Sequence, residues 1–152
     1  LPLCDARDRE VEIAWGLADF ERRFGRRSRG IWMPETAMCV DTLEALVAQG
    51  VEFTIVAPHQ VESIREIGSD EWLPSTSVVG ITERPYRVEL PSGRSISLFV
   101  YDAVLARGVA FDGWLHDGDY LAERLKNGAT LTDGIVHLAT DGESYGHHHR
   151  RG

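Results

Sequence analysis

The chain has 152 residues, of which 43% are hydrophobic and 26% charged, a composition that supports one globular domain with a buried core and excludes a disordered chain. Its formal net charge of -8 argues against a nucleic-acid-binding protein, which needs a basic surface to replace phosphate counterions. No apolar run approaches the roughly 20 residues that cross a bilayer. We therefore expect a cytoplasmic protein with neither nucleic acid nor membrane as a partner; the oligomeric state is not predicted.

Helical and strand-like segments alternate in the first part of the chain. Residues 8–25 carry apolar residues at helical spacing, and Gly25 suits the position after the helix. A short apolar strand over 30–35, a helix over 41–50, a β-branched strand over 51–58 and a short helix over 60–68 follow. This order predicts α/β architecture with a parallel sheet.

The second part of the chain departs from this alternation. Residues 86–102 predict two strands around the turn at Pro91, Ser92 and Gly93, a hairpin outside the regular strand–helix repeat. Residues 118–128 predict a short amphipathic helix. Residues 134–143 are apolar at most positions, which predicts a final parallel strand buried on both faces.

Polar, reactive residues stand at the ends of three predicted strands. Glu35 ends the first strand, His59 follows the second, and Asp141 and Glu143 end the last. Because ligands gather at the carboxyl ends of parallel strands, we expect these side chains to face one site, together with Trp32.

Two carboxylates in one site suit cleavage of a glycosidic bond. One protonates the departing oxygen, and the other attacks or stabilises the sugar carbon. Exposed aromatic side chains can stack on sugar faces, and Trp32, Trp72, Trp114 and Tyr145 are available. The alternative is that Glu35 and Asp141 only cap the helices that follow their strands, and spacing alone leaves both interpretations open.

A metal site is a second interpretation of the last residues. Asp141, Glu143 and the run His147–His149 are all common metal ligands. Consecutive histidines point in different directions on a strand or a helix, however, so three of them seldom bind one ion. We expect no metal and no cofactor.

Two motifs resemble a known family. The stretch GIWMPETAM, which begins at Gly30, and ATDGESYGHHH, which begins at Ala139, resemble two signature regions of the glycoside hydrolase family 57 catalytic domain. They occur in the expected order, and the resemblance extends from about Arg9 to the end of the chain. The chain also resembles a subgroup of this family, made up of uncharacterised relatives of the α-amylase and α-mannosidase type.

The resemblance implies a retaining glycoside hydrolase or transglycosylase that acts on α-glucan or a related polysaccharide. Glu35 matches the family's nucleophile and Asp141 its general acid/base, which requires carboxyl groups about 5–5.5 Å apart. Contacts to an oligo- or polysaccharide substrate are implied for a further set of residues: Trp32, His59, Asp102, Glu143, Tyr145, His147 and His148.

The family fold is a seven-stranded (β/α) barrel, and this chain matches only part of it. No counterpart of the family's His-rich first region is present, and its later regions are absent. We therefore expect residues 1–152 to form one incomplete catalytic domain, an α/β partial (β/α)7-type barrel with parallel strands and a β-hairpin excursion. As an open part-barrel it would expose apolar strand edges, and we expect it to have little or no activity alone.

Two alternatives to glycosidase chemistry stay open. One is a metal-dependent polysaccharide deacetylase-like hydrolase that uses Asp141 and His147–His149. The other is a noncatalytic carbohydrate-binding remnant.

Overall fold

A computed structural model describes residues 1–150 of the chain. Four helices and six strands form in this range. The helices are α1 (Ala6–Phe24), α2 (Val40–Ala48), α3 (Ala103–Ala110) and α4 (Gly118–Lys126). The strands are β1 (Gly30–Ile31), β2 (Phe53–Val56), β3 (Ser63–Ile64), β4 (Leu73–Pro74), β5 (Pro85–Glu89) and β6 (Ser95–Val100). None of these helices is both long enough and apolar enough to cross a membrane.

The described chain divides into two compact units. The first contains Leu1–Ile55 and Pro85–Phe99, and the second contains Val56–Arg84 and the residues from 100 onward.

Helix α1 follows the predicted apolar spacing. Its start is capped by Asp5, whose Oδ1 accepts a hydrogen bond of 2.9 Å from the backbone N of Asp8. Ile13 and Leu17 are buried. The helix ends where Gly25 takes a φ of 65°, the left-handed conformation that favours glycine.

The main sheet has the strand order β1-β2-β6-β5. β1 and β2 are parallel, with Gly30 opposite Phe53, whereas β5 and β6 form the predicted antiparallel hairpin. The backbone N of Ser97 donates to the O of Glu52, and four residues later on each strand Tyr101 N donates to Val56 O. β6 is therefore parallel to β2, so the second strand of the hairpin enters the sheet.

The core of the first unit is formed by residues of α1 and α2, by Ile96 of β6 and by residues that lie close to the ends of the other strands. Its buried members are Ile13, Leu17, Met33, Leu43, Leu46, Val51, Leu90 and Ile96. β1 lies so close to β2 that a Cβ on Gly30 would stand 2.3 Å from the Phe53 ring. Thr54 adds a hydrogen bond of 2.7 Å from its hydroxyl to the O of Ile31. The glycine of the first motif is thus required by this close approach.

The predicted helix over 60–68 is wrong. Residues 58–60 form one 3₁₀ turn, after which β3 pairs antiparallel with β4. Ser75 explains the change, because its backbone N donates to the O of Glu62 and its hydroxyl donates to the O of Val61. Pairing with the segment around Ser75 thus overrides a weak helical pattern.

The predicted last strand over 134–143 forms no strand ladder in the described residues. Its backbone makes two longer-range hydrogen bonds instead, from Ile135 N to Glu83 O (2.9 Å) and from Asp102 N to His137 O (3.2 Å). The apolar composition therefore marks a mostly half-buried segment outside the sheet, not a central strand.

Candidate active site

Glu35 lies in a 3₁₀ turn just after β1. Its φ and ψ are 57° and 20°, and the next residue, Thr36, also has a positive φ of 51°. Left-handed backbone is uncommon for residues other than glycine and is a genuine outlier for β-branched threonine. Two consecutive residues in this conformation indicate strain, which proteins retain at functional sites.

Neighbouring residues hold this strained turn in place. Met33 before it is fully buried, and Thr36 within it is buried as well. The backbone N of Thr36 donates to Met33 O at 2.9 Å, and Ala37 N donates to Pro34 O at 3.1 Å. The Glu35 side chain is left exposed.

Trp32 lies between β1 and this turn and is 36% exposed. An indole in this state is partly packed and offers part of its surface to a ligand, which fits a sugar-stacking role.

His59 is exposed in the 3₁₀ turn Pro58–Gln60, which follows β2. The turn is fixed by Gln60, whose Oε1 accepts a hydrogen bond of 2.8 Å from Ala57 N. The imidazole is thereby presented on a defined turn, a suitable arrangement for a substrate contact.

Asp102 has a structural role that the sequence analysis did not assign. Its Oδ1 accepts hydrogen bonds from the backbone N of Val104 (2.8 Å) and of Leu105 (3.0 Å), so it caps the start of α3. Helix α3 itself was not predicted, although an aspartate before Ala-Val-Leu is a recognisable helix start.

Asp141, Glu143 and Tyr145 are brought together in one tight turn. Asp141 precedes the 3₁₀ turn Gly142–Ser144, and its carbonyl accepts a bond of 3.0 Å from Ser144 N. Ser144 is buried and anchors the turn. Asp141 and Glu143 are exposed, and the Tyr145 hydroxyl accepts a hydrogen bond of 3.1 Å from the Thr140 hydroxyl.

The histidine run folds back on this turn. His148 N donates to Glu143 O at 2.9 Å, and the rings of His147 and His148 lie 4.9 Å apart, nearly perpendicular. His149 Nε2 lies 3.0 Å from the carbonyl O of Ala110. Within residues 1–150, no three His, Cys, Asp or Glu side chains are grouped so that they could hold a metal ion.

Glu83 is a buried carboxylate that the sequence analysis missed. Its side chain accepts hydrogen bonds from Thr130 N (2.9 Å to both oxygens), from the Thr130 hydroxyl (2.6 Å) and from Leu131 N (2.8 Å). These donors, the Thr130 hydroxyl foremost, lower the pKa of Glu83. Its partners lie almost fifty residues away in the chain, so no local signal marks it.

His137 is a second titratable group on the same segment. Its Nε2 lies 3.0 Å from the carbonyl O of Thr82. Since a carbonyl only accepts, Nε2 carries the proton. Partial burial lowers the pKa of His137, and hydrogen bonding to Thr82 and the charge of Asp102 oppose this in part.

The family model for glycosyl hydrolase family 57 matches residues 1–152. The chain belongs to glycosyl hydrolase family 57. No curated protein sequence matches the chain.

A solved structure shows the same fold as this family 57 chain. It is described as the crystal structure of 4-alpha-glucanotransferase from Thermococcus litoralis, with a TM-score of 0.63 and 20% sequence identity. The match covers 92% of this chain and 19% of that chain. The family 57 chain thus spans about a fifth of that protein. Its mixed α/β fold with a parallel strand pair is consistent with part of a (β/α) barrel.

The residues expected in the family 57 site fall in both compact units. Trp32 and Glu35 belong to the first, and the others belong to the second: His59, Asp102, Asp141, Glu143, Tyr145, His147 and His148.

Proposed function

We propose that this chain is part of a retaining glycoside hydrolase or transglycosylase that acts on α-glucan, within a longer catalytic domain. Membership of glycosyl hydrolase family 57 supports the reaction class. The similar glucanotransferase supports the glucan substrate.

Glu35 is the proposed nucleophile. The observation that carries this assignment is the pair of left-handed residues Glu35 and Thr36, which holds an exposed carboxylate on a strained turn at the end of a parallel strand. A glutamate that only capped the next helix would not need this conformation. Helix α2 in fact starts after Cys39, four residues further on.

Asp141 is the proposed general acid/base. In the first step a Glu35 oxygen bonds to the anomeric carbon, while the bond from that carbon to the departing oxygen breaks and Asp141 gives that oxygen its proton. In the second step water or a sugar hydroxyl attacks the anomeric carbon and releases Glu35, and Asp141 takes the proton from the attacking oxygen.

The experiment is to make Glu35→Gln and Asp141→Asn in the full-length protein and to measure cleavage and transfer of maltooligosaccharides. Each variant should lose activity by at least about a hundredfold, because each removes a group that acts in the transition state. A mechanism-based fluoroglucoside should label the wild type at Glu35. The exposed Glu66, varied to Gln, is the matched control and should retain activity.

The same experiment separates the alternatives. If a chelator abolished the activity while Glu35→Gln left it intact, the metal-dependent hydrolase would replace the present proposal. Binding of maltooligosaccharide without any turnover by the wild type would favour the carbohydrate-binding remnant.

A further inference from the structure

Glu83 is a buried carboxylate outside the proposed reaction. It is 5% exposed. Burying an acidic side chain is costly unless its oxygens receive hydrogen bonds. Here both oxygens accept bonds from two adjacent residues, Thr130 and Leu131. The carboxylate therefore acts as a bridge between the residues around 83 and the segment that begins at Thr130.

The same segment is held at further points close to Glu83. The backbone O of Glu83 accepts a bond of 2.9 Å from Ile135 N, and the carbonyl of Thr82 contacts His137 Nε2 at 3.0 Å. A Cβ on Gly134 would lie 2.3 Å from the Glu83 carboxylate. Residues 130–137 are thus held by the side chain of Glu83 and by the backbone of Thr82 and Glu83.

These contacts bear on Asp141 because residues 130–137 precede it by only a few positions in the chain. The segment from 134 to 140 belongs to no strand ladder, so ladder hydrogen bonds do not fix its position. Hydrogen bonds to Thr82, Glu83 and Asp102 are among the contacts that hold it instead.

We infer that Glu83 is a positioning residue for Asp141: its carboxylate fixes the segment that ends at Asp141 and thereby holds the acid/base for proton transfer. This inference rests on the proposed function of Asp141. Glu83 itself does not contact the reacting atoms.

The test uses two substrates that differ in their need for an acid. A maltooligosaccharide has a sugar leaving group that must be protonated, whereas an aryl α-maltooligoside with an acidic phenol departs without protonation. The kcat/KM for the maltooligosaccharide divided by the kcat/KM for the aryl substrate therefore reports on the acid. Loss of folded enzyme would lower both values equally and leave the ratio unchanged.

Glu83→Gln in the full-length protein replaces one acceptor oxygen by an amide NH₂, which cannot accept the hydrogen bonds from Thr130 and Leu131. The variant therefore loosens residues 130–137 while the side chain keeps nearly the same size. We expect kcat/KM for the maltooligosaccharide to fall by about tenfold to a hundredfold, as small displacements of catalytic groups do. The aryl substrate should change by less than about twofold. The control Glu66→Gln, at an exposed position of the same unit, should leave both values unchanged.

Thr130 supplies a milder second pair of variants in case Glu83→Gln does not fold. Thr130→Val removes the hydroxyl that bonds Glu83 Oε1 but keeps both backbone donors. It should lower the substrate ratio in the same direction, and Thr130→Ser, which restores the hydroxyl, should recover it.

Asp141→Asn distinguishes failure of this inference from failure of the proposed function. If Asp141→Asn lowers the ratio but Glu83→Gln and Thr130→Val leave it unchanged or lower both substrates equally, the positioning role is wrong and the proposed function stands. If Asp141→Asn leaves the ratio unchanged, the proposed function fails and the inference fails with it.

Discussion

At the scale of single residues, Glu35 combines an exposed carboxylate with a backbone conformation that glycine would adopt more easily. Each non-glycine residue in the left-handed region costs about 1–2 kcal/mol. The buried neighbours Met33 and Thr36 hold the turn despite this cost. The conformation is thus maintained against local preference, which supports the proposed role of Glu35.

Replacing Glu35 by glycine should therefore stabilise the protein while removing its activity. The side chain is exposed, so its loss removes little packing, and relief of the left-handed strain should raise the free energy of unfolding by about 1 kcal/mol. The apparent melting temperature of the intact protein and maltooligosaccharide cleavage are the two measurements.

Glu35→Gln is the matched control, because it removes the charge and keeps the strained backbone. It should lose activity without the gain in stability. Equal melting temperatures for the glycine and glutamine variants would contradict the assignment of strain to this turn.

The sequence marks Glu35 and Asp141 because each lies in a local motif, but other residues are readable only in three dimensions. Asp102 caps the start of α3, a role that the aspartate before Ala-Val-Leu could have indicated from the local sequence. Glu83 has no such signal, because its partners Thr130 and Leu131 are distant in the chain. The acidic character of a residue shows that it needs partners when buried, but not where they are.

At the scale of elements, helix α3 and helix α4 are joined through one tryptophan. Gly108 of α3 lies so close to Trp114 that an added Cβ would be 2.2 Å from the indole. The same ring meets Tyr120 edge-on at 5.4 Å and lies under the Arg124 guanidinium at 4.9 Å. The glycine thus gives the indole room between the two helices.

Gly108→Ala should destabilise the protein, although alanine is the better helix former. The clash with Trp114 forces repacking that costs about 1–3 kcal/mol, which exceeds the gain in helix propensity of about 1 kcal/mol. Thermal unfolding of the intact protein measures the change.

Gly16→Ala in α1 is the control, since nothing lies within 4 Å of its added Cβ. It should raise the stability by up to about 1 kcal/mol. A stabilised Gly108→Ala variant would show that Trp114 moves aside freely.

Sequence patterns predict elements well where the pattern is local and strong. Examples are α1 with Gly25 at its end, the hairpin of β5 and β6, and α4. Predictions were wrong at residues 60–68, where tertiary pairing with Ser75 decides the structure, and at 134–143, where an apolar run lacks a neighbouring strand. In both cases the deciding contacts come from elsewhere in the chain.

At the scale of the whole molecule, acid weakens the contacts that hold residues 130–137. The pKa of Glu83 is lowered in the folded protein. Its contribution to folding stability is therefore fully present above its pKa in the unfolded chain, about 4.3, and is lost as the pH falls through its pKa in the folded protein. His137 also has a lowered pKa, so the unfolded chain binds its proton more tightly, and stability falls as the pH drops below about 6.5.

Mild acidification should therefore loosen this segment through His137 first. We expect histidine C2 hydrogen exchange to show that the pKa of His137 lies below 6.5, its ordinary value. Amide exchange of peptides over 130–137 should speed up between pH 7 and pH 5, after correction for the intrinsic rate. His137→Asn should reduce this pH dependence, whereas a change of the exposed His59 to Asn should leave it. A pKa at or above 6.5 would contradict the effect of burial.

The left-handed turn at Glu35 also has a consequence for protein engineering. A library selected for heat resistance alone should enrich glycine at position 35, because the selection rewards the relaxed backbone and ignores chemistry. Such a selection would remove the proposed nucleophile while it raised the stability of the fold. Screens for heat resistance therefore need a test of turnover in every round. Glycine at position 35 among the selected variants would show that turnover had not been selected.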